Sequence, residues 1–279
     1  MLFRSSGDIY QVNLAQRLAV EGGADGWDFY EQLAAVSPAP FAAFLDGGSF
    51  QLASSSPELF LRLSGPHIVT RPIKGTRPRS ADPTRDAQLT YELQTSPKEM
   101  AELVMITDLL RNDLGRVCEY GSVQVPELVR LERYPQVQHL VSTVEGRLRR
   151  GVTHFEAFAR CFPGGSITGA PKIRAMDIID ELEPVTRGPY TGCLGYLGFN
   201  RESQLNIAIR TAVCLRLVVA PPMSKGRVKP WRSISRATCT ISSREKLLIW
   251  ARADGAAHRS RPARPRLRVV LMFGRRAGG

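Results

Sequence analysis

Ser96-Pro-Lys-Glu-Met-Ala-Glu-Leu-Val-Met-Ile-Thr-Asp-Leu-Leu-Arg-Asn-Asp-Leu-Gly115 reads as one long helix. Ser96, Pro97 and Glu99 form a capping-box pattern with proline at the first helical position. Met100, Leu103, Val104, Thr107 and Leu110 then recur at helical spacing, and Gly115 marks the end. Its surroundings are strand-like. Upstream, Phe41–Leu45 and Gln51–Ser54 flank the turn Asp46-Gly-Gly48, and Glu58–Leu63 runs into a Ser64-Gly-Pro66 turn. Downstream, Val137, His139, Val141 and Thr143 share one face of a strand. A second helix begins at Pro171, sets Ala175, Ile178, Ile179 and Leu182 on one face, and stops before Pro184. Leu205–Cys214 alternates as a further strand, with Arg210 opposite its apolar face. The expected fold is α+β: antiparallel sheets packed together, helices around them and a site in the cleft between.

The 279 residues are 43% hydrophobic and 23% charged, a globular balance. No apolar run approaches the roughly 20 residues of a membrane span, and the first residues lack the apolar core of a secretory signal. These features predict a soluble, cytoplasmic protein. The five cysteines (Cys118, Cys161, Cys193, Cys214 and Cys239) form no CxxC pair, so neither a zinc site nor a disulfide framework is indicated. Charge divides the chain. Residues 215–279 hold 13 Arg and 3 Lys against Glu245 and Asp254, a net of +14, whereas the preceding body is close to neutral at −2. Two regions are expected: a catalytic body over 1–214, and a basic tail over 215–279 that is out of frame or disordered. Within the tail, Leu267–Phe273 could form a strand but has no local partner.

Several residues could carry chemistry. Lys74 sits between Pro72 and Gly75, which constrain its backbone; it reads as a surface turn lysine or, if desolvated, as a nucleophile. Phe162-Pro-Gly-Gly-Ser-Ile-Thr-Gly-Ala-Pro-Lys172 is a glycine-rich turn leading into a helix, suited to an anion or simply to capping; it matches neither a Walker A loop nor GxGxxG. Glu102 lies in an otherwise apolar helical stretch and is the better Mg²⁺ candidate. Asp108, Arg111 and Asn112 are spaced to pair on the helix itself. His139 reads either as a core histidine or as an acid or base. Arg210 could grip a carboxylate bidentately or lie on the surface.

Together these segments resemble the chorismate-utilising enzymes. The resemblance rests on Asp8-Ile-Tyr-Gln-Val-Asn-Leu-Ala-Gln16, Ser56-Pro-Glu58, Pro72-Ile-Lys-Gly-Thr76, Asp108-Leu-Leu-Arg-Asn-Asp-Leu-Gly-Arg116, His139-Leu-Val-Ser142, the glycine-rich stretch, Gly195-Tyr196 and Ile209-Arg-Thr211. Within the family it is closest to component I of the folate-branch aminodeoxychorismate synthases. The resemblance implies that Lys74 attacks carbon 2 of chorismate before ammonia displaces it through carbon 4. Anthranilate synthases usually carry alanine at the Lys74 position. Gln11 stands where water-using relatives place a general-base lysine. Glu102 would bind Mg²⁺; Ser166, Tyr196 and Arg210 would hold substrate carboxylates; Gly164 and Gly165 would shape that pocket. His139 would assist departure of the hydroxyl, and Glu58 would act as acid or base. Ammonia would come from a glutamine amidotransferase partner.

The resemblance also implies departures at both ends. Family members have a further N-terminal half, and beyond the Ile-Arg-Thr strand they continue into a Gly-Gly-Gly-Ile-Val-type segment and an acidic helix carrying a second Mg²⁺ carboxylate. No stretch after Cys214 resembles these, so a reading-frame change near Cys214 and impaired activity are expected. Two other readings stand beside this one. Anthranilate synthase is disfavoured by Lys74. A non-catalytic protein whose tail binds nucleic acid ranks lower, because the tail lacks interleaved aromatic residues.

Overall fold

The structure, a computed structural model, describes residues 2–22, 25–216 and 267–276. It begins with a one-turn helix α1 (Leu2–Ser5), strand β1 (Gln11–Gly22) and helix α2 (Gly26–Val36). Strands β2 (Phe41–Asp46) and β3 (Phe50–Ser56) form the expected hairpin, its turn closed by the Gly48 N–H donating to Asp46 Oδ1 at 2.8 Å. Strands β4 (Leu59–Ser64), β5 (His67–Arg71) and β6 (Ile73–Pro78) follow, then helices α3 (Pro83–Gln94) and α4 (Pro97–Gly115). Next come β7 (Gln124–Arg133), β8 (Val137–Arg147), α5 (His154–Cys161), the single turn α6 (Gly165–Thr168), the two-residue β9 (Gly169–Ala170) and α7 (Lys172–Leu182). Strands β10 (Gly195–Leu197), β11 (Glu202–Asn206), β12 (Thr211–Arg216) and β13 (Leu267–Arg276) complete the set.

The strands form two antiparallel sheets, as the α+β reading expects. One runs β2-β3-β12-β13-β1-β9; the other runs β10-β11-β4-β5-β8-β6, with β7 also paired to β8. Helix α4 packs Ile106, Leu110 and Leu114 against Phe60, Leu61, Leu63, Ile68 and Val144 of the second sheet. Its inner face differs from the predicted one at Val104, which is 45% exposed, while Ile106 and Leu114 are buried. Ser96 caps the helix by accepting from the Glu99 N–H, and Arg111 pairs with Asp108 at 2.9 Å as the spacing suggests. Helix α2 covers the first sheet through Phe29, Tyr30 and Leu33, and α7 packs Ala175 and Ile178 against Ile9 and Val12.

The predicted strand over 205–214 is two strands in different sheets. β11 pairs with β4, β12 pairs with β3, and residues 207–210 carry the chain across between them. Burial does not alternate through this crossing: Leu205, Asn206, Ile207 and Ala208 are all buried, because the chain passes between the two sheets. The break occurs at Arg210, whose φ of +50° ends the extended run.

Strand β13 pairs with β1 on one side and β12 on the other. The partners that Leu267–Phe273 lacks locally therefore come from distant parts of the sequence. The remainder of the basic tail, including Cys239, lies outside the described residues. Cys118, Cys161, Cys193 and Cys214 are free thiols, and burial pushes each up to about 11 or 12, so they remain protonated at neutral pH. Among the described residues, no helix is long and apolar enough to cross a membrane.

Candidate active site

Edge strand β9 of the first sheet meets edge strand β6 of the second through α6, and most of the predicted residues gather at this junction. Lys74 owes its position to an irregular strand. The β6–β8 register shifts between Lys74 and Thr76, so Gly75 is the extra residue of a bulge. Gly75 has φ +73°, and a Cβ there would lie 2.9 Å from Leu93 Cδ1 and 3.3 Å from Glu99 Oε2. Only glycine combines that backbone with that approach. The bulge turns Lys74 inward. The side chain is buried, and its Nζ donates to the Ser166 carbonyl at 3.2 Å. The surface-lysine alternative is thereby excluded.

Glu58, in the turn between β3 and β4, is 5% exposed. Burial pushes its carboxyl up to about 7, against the opposing pull of a hydrogen bond from Ser166 and the charge of Lys74. A carboxyl poised there can take or give a proton near neutral pH. His139, on β8, is fully buried beside β6, with its Nδ1 2.8 Å from Thr76 Oγ1. Its Nε2 has no hydrogen-bond partner among the described residues. Burial, reinforced by the positive charge of Arg210, holds the imidazole down to about 4. His139 is therefore neutral at pH 7, able to take part in a hydrogen bond without a formal charge.

From the first sheet, Gln11 on β1 pairs with Ala170, and Asn13 donates to the same Ser166 carbonyl at 3.0 Å. This contact requires Gly169, at φ +145°, where a Cβ would lie 2.1 Å from the Gln11 carbonyl oxygen. Gly164 and Gly165 serve close packing more than an open pocket: a Cβ on them would meet Ile207 Cδ1 at 2.6 Å and Leu109 Cδ2 at 2.4 Å. Tyr196 stands apart, 45% exposed on edge strand β10 opposite Gln204. Arg210 lies in the crossing between sheets rather than on a strand face, and reaches the site through its influence on His139.

Glu102 is half-buried on α4, and Glu99 one turn earlier is more deeply buried, with Oε1 3.5 Å from Arg77 Nη1. Their i,i+3 spacing places both carboxylates on one side of the helix, with Glu99 beside the Gly75 bulge. No group of three or more His, Cys, Asp or Glu converges among the described residues. An all-oxygen pair of this kind fits Mg²⁺, which uses one or two carboxylates with substrate oxygens and water, and does not fit zinc.

Asn13, Thr76 and Glu99 are site residues that the sequence does not single out. The motifs at 8–16 and 72–76 contain the first two, and the capping pattern contains the third, but their roles depend on partners far away in sequence. The same holds for Lys172, which reaches Asp113 at 2.5 Å and the Cys161 carbonyl at 3.0 Å, tying the end of the glycine-rich turn to α4.

Residues 4–216 match the chorismate binding enzyme family. Aminodeoxychorismate synthase component 1 of Klebsiella aerogenes is 52% identical over 206 residues, covering 74% of this chain and 46% of that protein. Anthranilate synthase component 1 3 of Haloarcula marismortui is 49% identical over 207 residues, covering 74% and 41%. The crystal structure of anthranilate synthase component I from Streptococcus pneumoniae TIGR4 superposes with a TM-score of 0.69 at 38% identity, covering 76% of this chain and 46% of that one. The chain thus spans less than half the length of these relatives. With the family match extending over most of its length, the chain belongs to the chorismate-binding enzymes.

Proposed function

We propose that this chain carries the aminating site of an aminodeoxychorismate synthase component I, converting chorismate and ammonia to 4-amino-4-deoxychorismate through a lysine adduct. The observation that supports this reading is the buried amine of Lys74, directed at the Ser166 carbonyl with Glu58 alongside. A lysine fixed and partly desolvated in this way is suited to act as a nucleophile.

In the proposed sequence, Lys74 forms a C–N bond at carbon 2, the ring double bond shifts, and the 4-hydroxyl leaves as water with a proton from Glu58. Ammonia then adds at carbon 4, the double bond returns, and the carbon 2–nitrogen bond to Lys74 breaks. Glu58 takes back the surplus proton. The neutral His139 Nε2 is placed to hydrogen-bond the 4-hydroxyl, and Arg210 and Ser166 hold carboxylates, whereas Tyr196, standing apart, takes no part. Glu102, with Glu99, would hold Mg²⁺, which would supply charge neutralisation at the ring carboxylate. A glutamine amidotransferase would deliver the ammonia. Turnover by the 279-residue chain is expected to be impaired.

The test is product identity. The purified chain receives chorismate, ammonium and Mg²⁺, and products are separated by chromatography and weighed by mass spectrometry. The expected product is 4-amino-4-deoxychorismate at low yield, lost in Lys74→Ala. Anthranilate as the main product, or product formation indifferent to Lys74→Ala, would overturn the reading.

A further inference from the structure

We propose that Arg187 is a positioning residue that sets the direction and reactivity of Lys74 by locking the Ser166 carbonyl in place; the proposal rests on the reading of Lys74 as the nucleophile. Arg187 lies beyond α7, is 4% exposed, and belongs to no motif singled out in the sequence. Its guanidinium is held by a fork to Glu183, with Nε 2.9 Å from Oε2 and Nη2 2.5 Å from Oε1. The outer faces of the fork then reach two carbonyls. Nη1 donates to Ile167 O at 3.1 Å, and Nη2 donates to Asn13 O at 2.6 Å.

These two carbonyls flank one point. Ile167 directly follows Ser166, and Asn13 donates its side-chain amide to the Ser166 carbonyl at 3.0 Å. That carbonyl is the acceptor for Lys74 Nζ. Glu183 adds a second grip on β1 by accepting from the Ala15 N–H at 2.8 Å. One buried ion pair thus pins strand β1 and turn α6, the two elements that set where the Lys74 acceptor sits. A guanidinium suits this task because its planar donors reach several acceptors at fixed angles, which an ammonium cannot reproduce. Burying such a pair is costly unless every donor is used; here they are spent on Glu183, Thr191 and the carbonyls of Ile167 and Asn13.

The inference is tested without turnover, by trace acetylation of the full chain with acetic anhydride across a pH series, reading Lys74 and Lys172 separately by peptide mass spectrometry. Lys74 faces the Ser166 carbonyl and the Glu58 carboxyl, whose charge favours the ammonium form in wild type and variant alike; the fixed carbonyl adds to that preference. Releasing it in Arg187→Met is expected to move the midpoint of the Lys74 labelling curve to lower pH by about one pH unit, with Arg187→Lys in between. General loosening would admit water, favour the ammonium form and move the midpoint to higher pH. Lys172, held by Asp113 on the other side of the turn, should keep its wild-type protection. An unmoved or raised Lys74 midpoint in a folded Arg187→Met chain would overturn the proposal. Should that variant lose Lys172 protection, Arg187→Lys is judged by the same criterion. If the midpoint moves as expected while product analysis shows no dependence on Lys74, the positioning role stands and the proposed reaction falls.

Discussion

Glu58 and His139 titrate inside the folded chain with opposite sign. Glu58 is raised from 4.5 to about 7, so its protonated form is the one the fold favours. Its contribution to stability is complete below pH 4.5 and is lost as pH rises through 7. Glu58→Gln should therefore flatten the pH dependence and gain up to about 3 kcal/mol over wild type above pH 8, since each tenfold change in proton affinity corresponds to about 1.36 kcal/mol. Urea unfolding at a series of pH values measures this; equal slopes for the two proteins would contradict it. His139 is lowered from 6.5 to about 4, so its contribution is present above pH 6.5 and lost as pH falls through 4. At Gly75, alanine would meet both the φ of +73° and the Leu93 contact, and Gly75→Ala is expected to cost about 1–3 kcal/mol, read from the urea midpoint. Part of the site was legible at this scale. Pro72 and Gly75 announce a constrained Lys74 because both act on the local backbone. Arg187 and Thr76 announce nothing, since their chemistry depends on carbonyls and an imidazole contributed from elsewhere in the chain.

Among the elements, α4 carries the most information, because its cap, periodicity and terminal glycine are local signals and the helix forms over the range they mark. Its far end is fixed by Asp113, buried and matched by Lys172 from α7. Burial raises the Asp113 carboxyl despite that partner, so the pair is under desolvation stress. Lys172→Met leaves Asp113 buried and uncompensated and should cost about 3–5 kcal/mol. Adding Asp113→Leu should recover much of this loss in thermal or urea unfolding, and a double variant no more stable than the single would contradict the argument. The strand predicted over 205–214 shows the limit of local pattern. Period-two alternation identifies extended chain, not sheet membership, and no glycine or proline marks the change of sheet at Arg210. Strands β5 and β7 and helices α2, α3 and α5 are among the elements that the sequence pattern does not mark. Their burial patterns are short or partial, and long-range pairing supplies what their own residues do not.

At the scale of the molecule, the two sheets join through residues far apart in sequence: Ser56 donates to the Ile207 carbonyl at 2.6 Å, and the Asn206 side chain donates to the Phe41 carbonyl at 2.7 Å. Removing everything after residue 200 would delete β11 and bare the pairing edge of β4, whose Leu59, Phe60, Leu61 and Leu63 are buried in the intact chain. Such a truncation should aggregate, visible as concentration-dependent light scattering, whereas a monodisperse truncated chain would show that the edge is otherwise protected. The same pairing sets a timetable for synthesis. Glu202 sits opposite Ser64, so β4 emerges from the ribosome about 140 residues ahead of its neighbour and waits about 7–28 s at ordinary elongation rates. During that interval an apolar strand edge is open to other nascent chains, and the second sheet closes only late in translation. Chaperone demand is therefore written into the strand order, and slowing elongation between residues 64 and 202 should lower the soluble yield without changing a single native contact.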